Sequence, residues 1–188
     1  MIGVYDFCGH YEWTFAWLEK NGGDKMLREY WDEAIHQDSQ RHASDLIFRK
    51  GIEGMKEYWG HTLAHEGAGY TTAATENVFR IDIQDCPSKG FLIRNGLEQH
   101  GDYCDHCIGW IGPMLKQAEF TIDHQHNHCG QCWWEMRAKT DESKPSAPGE
   151  MSKQDDVRLA PKWNSPATKI DSYSRANLPD EKTNPSGS

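Results

Sequence analysis

The chain has 188 residues, a formal net charge of −9 and a mean hydropathy of −0.83, about one domain's worth of polypeptide. Acidity uninterrupted by any Lys/Arg cluster argues against nucleic acid as a partner, because phosphate binding needs a basic surface, and no apolar run approaches the ~18 residues of a membrane span. The start, Met1-Ile-Gly-Val-Tyr-Asp-Phe, has neither a basic region nor an apolar stretch behind it, so the six cysteines read as reduced thiols of a cytoplasmic protein rather than as a disulfide framework.

Cys8-Gly9-His10 forms a short polar lead. Trp13, Phe15, Trp17 and Leu18 predict a short buried helix over Tyr11–Lys20, ended by Asn21-Gly22-Gly23-Asp24 with Asp24 as an N-cap. Met26, Leu27, Tyr30, Trp31, Ala34 and Ile35 recur at three-and-four spacing and predict a long amphipathic helix from Asp24 to about Lys50. A further helix spans Gly51–His65, with Ile52, Met55, Tyr58, Trp59 and Leu63 on one face, and Glu66-Gly67-Ala68-Gly69 closes it. His61 and His65 share a face of that helix, but the spacing lacks the Glu of a His-Glu-x-x-His site and suits a helix-end cluster.

The period then shortens. Val78, Ile81 and Ile83 predict a strand over Asn77–Asp85, and Cys86-Pro87-Ser88-Lys89-Gly90 reads as a turn before an apolar segment, Phe91–Arg94. His106–Ala118 is read as a helix in which Gly109 and Gly112 allow a close approach. Glu119–His128 and Gln131–Arg137 alternate, joined through Cys129-Gly130 into a hairpin. Helices followed by strands with one intervening helix give an α+β class: N-terminal helices packed on a small antiparallel sheet, a single domain over 1–139. From Thr140 onward the chain is polar and carries Pro145, Pro148, Pro161, Pro166, Pro179 and Pro185. Residues 140–188 are therefore expected to be an extended Pro-rich arm or tail, suited to holding a homo- or hetero-oligomer together.

The chemistry concentrates between Cys86 and Cys132, which hold five of the six cysteines and five of the ten histidines. Cys104-x-x-Cys107 and Cys129-x-x-Cys132 stand 21 residues apart, a spacing that matches zinc sites, where two thiolates three apart on a turn reach one tetrahedral ion. His124, His126 and His128 alternate onto one face of the predicted strand together with Phe120 and Ile122, so the imidazoles continue a core-facing row. The metal-ligand candidates are Cys104, Cys107, His124, His128, Cys129 and Cys132, with zinc as the expected ion and iron as the alternative. The catalytic candidates are Cys104, His106 and His126. A thiolate at Cys104 or Cys107 would sit at a helix start, with His106, His124 or His126 moving protons, or the metal would activate water. Asp102, Asp105 or Asp123 could orient an imidazole. Trp133 and Trp134, being adjacent, face opposite sides of their strand. No nucleotide-binding loop and no serine-hydrolase elbow is present.

The stretch from about Gly51 to Arg137 resembles the family of L-2-amino-thiazoline-4-carboxylic acid hydrolases and, more distantly, the four-vinyl-reductase-type small-molecule-binding domains. The resemblance rests on Gly101-Asp-Tyr-Cys104-Asp-His106 and His128-Cys129-Gly-Gln-Cys132-Trp-Trp-Glu-Met, and covers under half of the chain. It implies a hydrolase that opens a small cyclic C–N substrate. His124, His126, the paired tryptophans and the tail depart from the pattern. The second functional class open to these residues is non-catalytic: a zinc-binding sensor, or an accessory subunit of a larger complex, with the four paired cysteines closing a structural zinc site.

Overall fold

The computed structural model describes residues 4–97, 100, 102–146 and 171–173. Among these residues the architecture is α+β: five α-helices and one π-helix packed with a five-stranded antiparallel sheet. Helix α1 spans Val4–Glu29 and is broken at Gly23, whose φ of 69° is left-handed and marks the predicted interruption. The long helix expected from Asp24 is three pieces: the end of α1, a π-helix over Tyr30–Ser39, and α2 over Arg41–Lys50. The apolar recurrence that predicted one helix survives the change of hydrogen-bond pattern, since Leu27, Trp31, Ile35, Ala43 and Ile47 are all buried. Helix α3 spans Ile52–His65 as expected.

Strand β1, Gly69–Ala74, pairs with β2, Val78–Asp85. The predicted turn after β2 is instead the start of helix α4, Pro87–Asn95. Cys86 caps it, with Sγ accepting from the Lys89 amide at 3.4 Å and Pro87 in the first turn, where a missing N–H costs nothing. Helix α5 runs Asp105–Gln117. Gly109 is where it comes closest to the π-helix: a Cβ there would lie 2.4 Å from the Trp31 ring. Strands β3, Phe120–His126, and β4, Cys132–Ala138, form the predicted hairpin.

The sheet order is β1-β2-β4-β3-β5, where β5 is Asp171–Tyr173 paired antiparallel to His124–His126. That part of the expected arm lies on the chain's own sheet, while residues 147–170 and 174–188 of it lie outside the described residues. The register builds the sheet's inner face in three rows across β2, β4 and β3: Phe79–Met136–Ile122, then Ile81–Trp134–His124, then Ile83–Cys132–His126. Helices α3 and α5 pack on β2 and β3, so the rows run from pure core toward a polar end.

The outer face is buried as well, and it is charged. Arg80 donates to both oxygens of Asp82 at 2.7 and 2.8 Å and to Glu135 at 3.2 Å, with its guanidinium 4.6 Å from the centre of the Trp133 ring. Arg137 pairs with Glu135 and Ser143, and the Ser146 amide donates to Glu135 at 3.2 Å. Residues 141–146 thus lie against this face. Trp133 and Trp134 do face opposite sides, and both are buried.

Replacing Gly109 by Ala should cost about 1–3 kcal/mol, because a methyl forced into a packed ring displaces it. Chemical denaturation of the two chains measures this as a lower midpoint at unchanged slope.

Candidate functional site

A cavity of about 410 Å³ opens between α1, α3, α5 and β2, a volume in the range of small-molecule pockets. Aromatic and aliphatic side chains form most of its wall, among them Tyr58, Trp59, Leu63, Trp110 and Trp134. Polar groups gather on one side: Cys8, Glu66, Cys86, Ser88, Tyr103, His106 and Cys107. Ser88 and Tyr103 share a short hydroxyl–hydroxyl hydrogen bond. Burial raises the Tyr103 hydroxyl well above its ordinary value, so it stays protonated.

His106 and Cys107 form a pair on this wall. The Tyr103 carbonyl lies 2.5 Å from His106 Nδ1, and since a carbonyl only accepts, that nitrogen carries the proton. Nε2 is then the basic nitrogen, and it lies 3.6 Å from the Cys107 sulfur. The imidazole is held by aromatic contacts to Phe15 and Tyr103, at 5.3 and 4.6 Å between centroids. Burial lowers the His106 pKa to about 4, against the opposing pull of the Tyr103 hydrogen bond and of Asp105. Burial raises Cys107 well above 9.0, and the neighbouring Cys86, Cys132 and Cys104 add to it. The resting pair is therefore a neutral thiol beside a neutral imidazole. The expected helix-start activation of the thiolate is outweighed by desolvation.

Behind this wall lies a cavity of about 30 Å³ that borders Cys86, Cys104, Cys107 and Cys132, with Lys89, His124, His126 and Gln131. All six cysteines are free thiols. The four bordering ones differ from the predicted set in one member: Cys86 stands where Cys129 was expected. A tetrahedral zinc with sulfur at about 2.3 Å needs its ligand sulfurs within ~4 Å of one another. Among the described residues the one group of such ligands lying within 4.8 Å is Asp105, His126 and His128, so Cys104, Cys107, Cys129 and Cys132 are not gathered for one ion. The reason is directional: Cys129 sits in the hairpin turn, its amide donating to Asn127 Oδ1 at 2.9 Å, whereas Cys132 begins β4 on the inner face.

The histidine row is buried for two of its three members. His124 is 1% and His126 2% exposed. His124 stacks on Trp134 at 3.7 Å, its Nδ1 lies 2.8 Å from the Trp133 carbonyl, and its Nε2 lies 2.7 Å from His126 Nδ1. His126 Nε2 then lies 3.1 Å from Asp105 Oδ1. Thus His106 faces the large cavity, His126 does not, and Cys104 borders only the small one.

Sequence reasoning weighed Cys8 as closing a pocket but favoured a chain-end coincidence, missed Cys86 as a wall residue, and gave Asp105 only as an orienting group. Cys8 lines the cavity while His10 is exposed, and His61 and His65 are exposed at the helix end, with His65 Nδ1 2.7 Å from the His61 carbonyl. The signal for Cys86 was present: Cys-Pro after a strand is a helix cap with Pro at the first helical position.

No protein-family model matches the chain, and no curated protein or solved structure is significantly similar to it.

His106 has a folded pKa of about 4, below its ordinary 6.5, so the unfolded chain binds the extra proton between those values. Its contribution to stability is complete above pH 6.5 and is lost as the pH falls toward 4, with a slope of at most about 1.4 kcal/mol per pH unit. In imidazole NMR of the chelator-treated protein, the His106 ring should remain the neutral Nδ1–H tautomer at pH 5.5. The acid-unfolding curve of His106→Asn should be flatter than that of the parent chain over the same window.

Proposed function

We propose that the protein is an enzyme acting on a small molecule held in the large cavity, with Cys107 as nucleophile and His106 as its base, in a hydrolase-like opening of a C–N bond. One observation carries this reading: a largely apolar pocket of ligand size has, on its wall, a thiol 3.6 Å from an imidazole nitrogen whose tautomer is set by a backbone carbonyl. Nucleophile, base and an orienting third group are the parts of a covalent hydrolytic site. The resemblance of Gly101–His106 and His128–Met136 to the aminothiazoline carboxylate hydrolases adds the substrate class, a small cyclic C–N compound.

The neutral resting pair shapes the mechanism. As the sulfur attacks an electrophilic carbon, His106 Nε2 takes the thiol proton, and it returns that proton to the leaving nitrogen. Water then resolves the thioester-like adduct with the same imidazole as base. The Ser88–Tyr103 hydroxyl pair faces the same cavity and supplies a donor for a carbonyl or ring heteroatom. Glu66 lines the cavity, and burial raises its pKa, which favours the protonated form near the substrate.

A second reading has its own support. Every cavity thiol with a resolved shift is held protonated by burial, which suits a sensor or accessory subunit that binds a ligand without turning it over. Turnover assays on a panel of cyclic C–N compounds, including 2-amino-thiazoline-4-carboxylate, separate the two. The catalytic reading predicts turnover that falls at least ~10²-fold in Cys107→Ala and in His106→Gln while ligand binding persists. Saturable binding without turnover, unaffected by Cys107→Ala, would establish the binding module instead.

A further inference from the structure

The hydrogen bonds at the end of the histidine row turn His126 Nε2 toward a carboxylate. The Trp133 carbonyl can only accept, so His124 Nδ1, 2.8 Å away, carries a proton. A neutral His124 is therefore an acceptor at Nε2, and the 2.7 Å contact there requires His126 Nδ1 to be the donor. His126 Nε2 then lies 3.1 Å from Asp105 Oδ1, with His126 2% and Asp105 8% exposed. A ligand atom of His128 completes the group, all three lying within 4.8 Å of one another.

We infer that Asp105, His126 and His128 form a binding site for one divalent transition-metal ion of the zinc class. The donor set is two imidazoles and a carboxylate, which suits Zn²⁺ and its cobalt and ferrous analogues rather than the all-oxygen preferences of Mg²⁺ or Ca²⁺. The surroundings match those of metal-ligating histidines, whose second nitrogen is engaged by a partner that sets the tautomer: His126 Nδ1 is held by His124, which is itself held by a backbone carbonyl. Three separate elements bring the ligands together. Asp105 opens α5, His126 ends β3, and His128 lies in the hairpin turn at a left-handed φ of 57°. That turn is braced by Asn127, whose Oδ1 accepts from the Cys129 and Gln131 amides at 2.9 and 3.3 Å and whose Nδ2 donates to Gln131 at 2.6 Å. Three protein ligands leave a four-coordinate ion one position for water. The site contains no thiol and does not depend on the Cys107–His106 reading.

The test is zinc titration of the metal-free full-length chain by calorimetry, with Co²⁺ absorption as the spectroscopic readout. The expected result is one Zn²⁺ per chain and a cobalt spectrum without a thiolate-to-cobalt charge-transfer band. Asp105→Asn keeps the helix start, and His128→Asn suits the left-handed backbone. Each should weaken zinc binding about 100-fold or more, whereas Cys104→Ser and Cys107→Ser should leave it unchanged. A charge-transfer band, or zinc affinity indifferent to both Asn variants with their folding confirmed by circular dichroism, would overturn the assignment. So would a wild-type chain that takes up no zinc. The wild-type spectra decide the matter even if a variant does not fold, and turnover in the large cavity is read separately.

Discussion

The antiparallel register of β2, β4 and β3 is the constraint from which the rest follows. Cross-strand neighbours on one face touch, so placing Met136 between Phe79 and Ile122 obliges Trp134 to lie between Ile81 and His124, and Cys132 between Ile83 and His126. A slip of one residue would turn every one of these side chains to the opposite face and exchange the core for the Arg80–Glu135–Asp123 row. The hydrophobic rows therefore carry the polar ones to their place. His124 and His126 are buried because Phe79, Ile81, Ile122 and Met136, none more than 2% exposed, leave the sheet no other face to offer the helices.

The outer face shows the cost of that arrangement and how it is met. Arg80 and Arg137 are 0% and 1% exposed, and a guanidinium out of water is tolerable only with its charge and donors matched. Asp82, Glu135 and Asp123 match the charge, Trp133 offers its ring to Arg80, and residues 141–146 contribute the Ser143 hydroxyl, the Ser146 amide and the Ser146 carbonyl. Both faces of the hairpin thus carry buried side chains. An imidazole in such a place is oriented by the protein groups that hydrogen-bond to it.

Much of this was legible in the chain. The period-two alternation of Val78–Asp85, Phe120–His126 and Cys132–Arg137 reports strands with one apolar face, from which the core-facing histidine row followed, but not that the polar face is buried too. Strand β1 was not legible: Gly69-Tyr-Thr-Thr-Ala-Ala carries no apolar alternation because it is mostly exposed beside β2. The π-helix was hidden because apolar spacing reports which face is buried, not whether the amide reaches four or five residues back. Helix α4 was read as a turn because Pro87 and Gly90 are turn residues, and a thiol cap is an unusual helix signal. For the site, Cys-x-x-Cys spacing gives the reach of two thiols but not their direction. Cys129 sits in the turn while Cys132 begins β4 on the inner face, and the Cys-Pro that caps α4 does not say which cysteines Cys86 will meet. Asp105 was legible as one of three groups that could orient an imidazole, but not which imidazole, because its meeting with the end of β3 is long-range.

Strand β5 gives the histidine strand a second dependence. Residues 171–173 pair with the backbone of His124–His126, so the outer edge of β3 is closed by chain that lies 45 positions beyond the last of those imidazoles. In synthesis that edge is completed late. Until it is, β3 offers free amide and carbonyl groups along the residues that carry the imidazoles, a template for any extended segment, including one from another copy. Part of the polar tail is thereby a guard on the sheet: three residues occupy an edge that would otherwise be open to pairing with another strand.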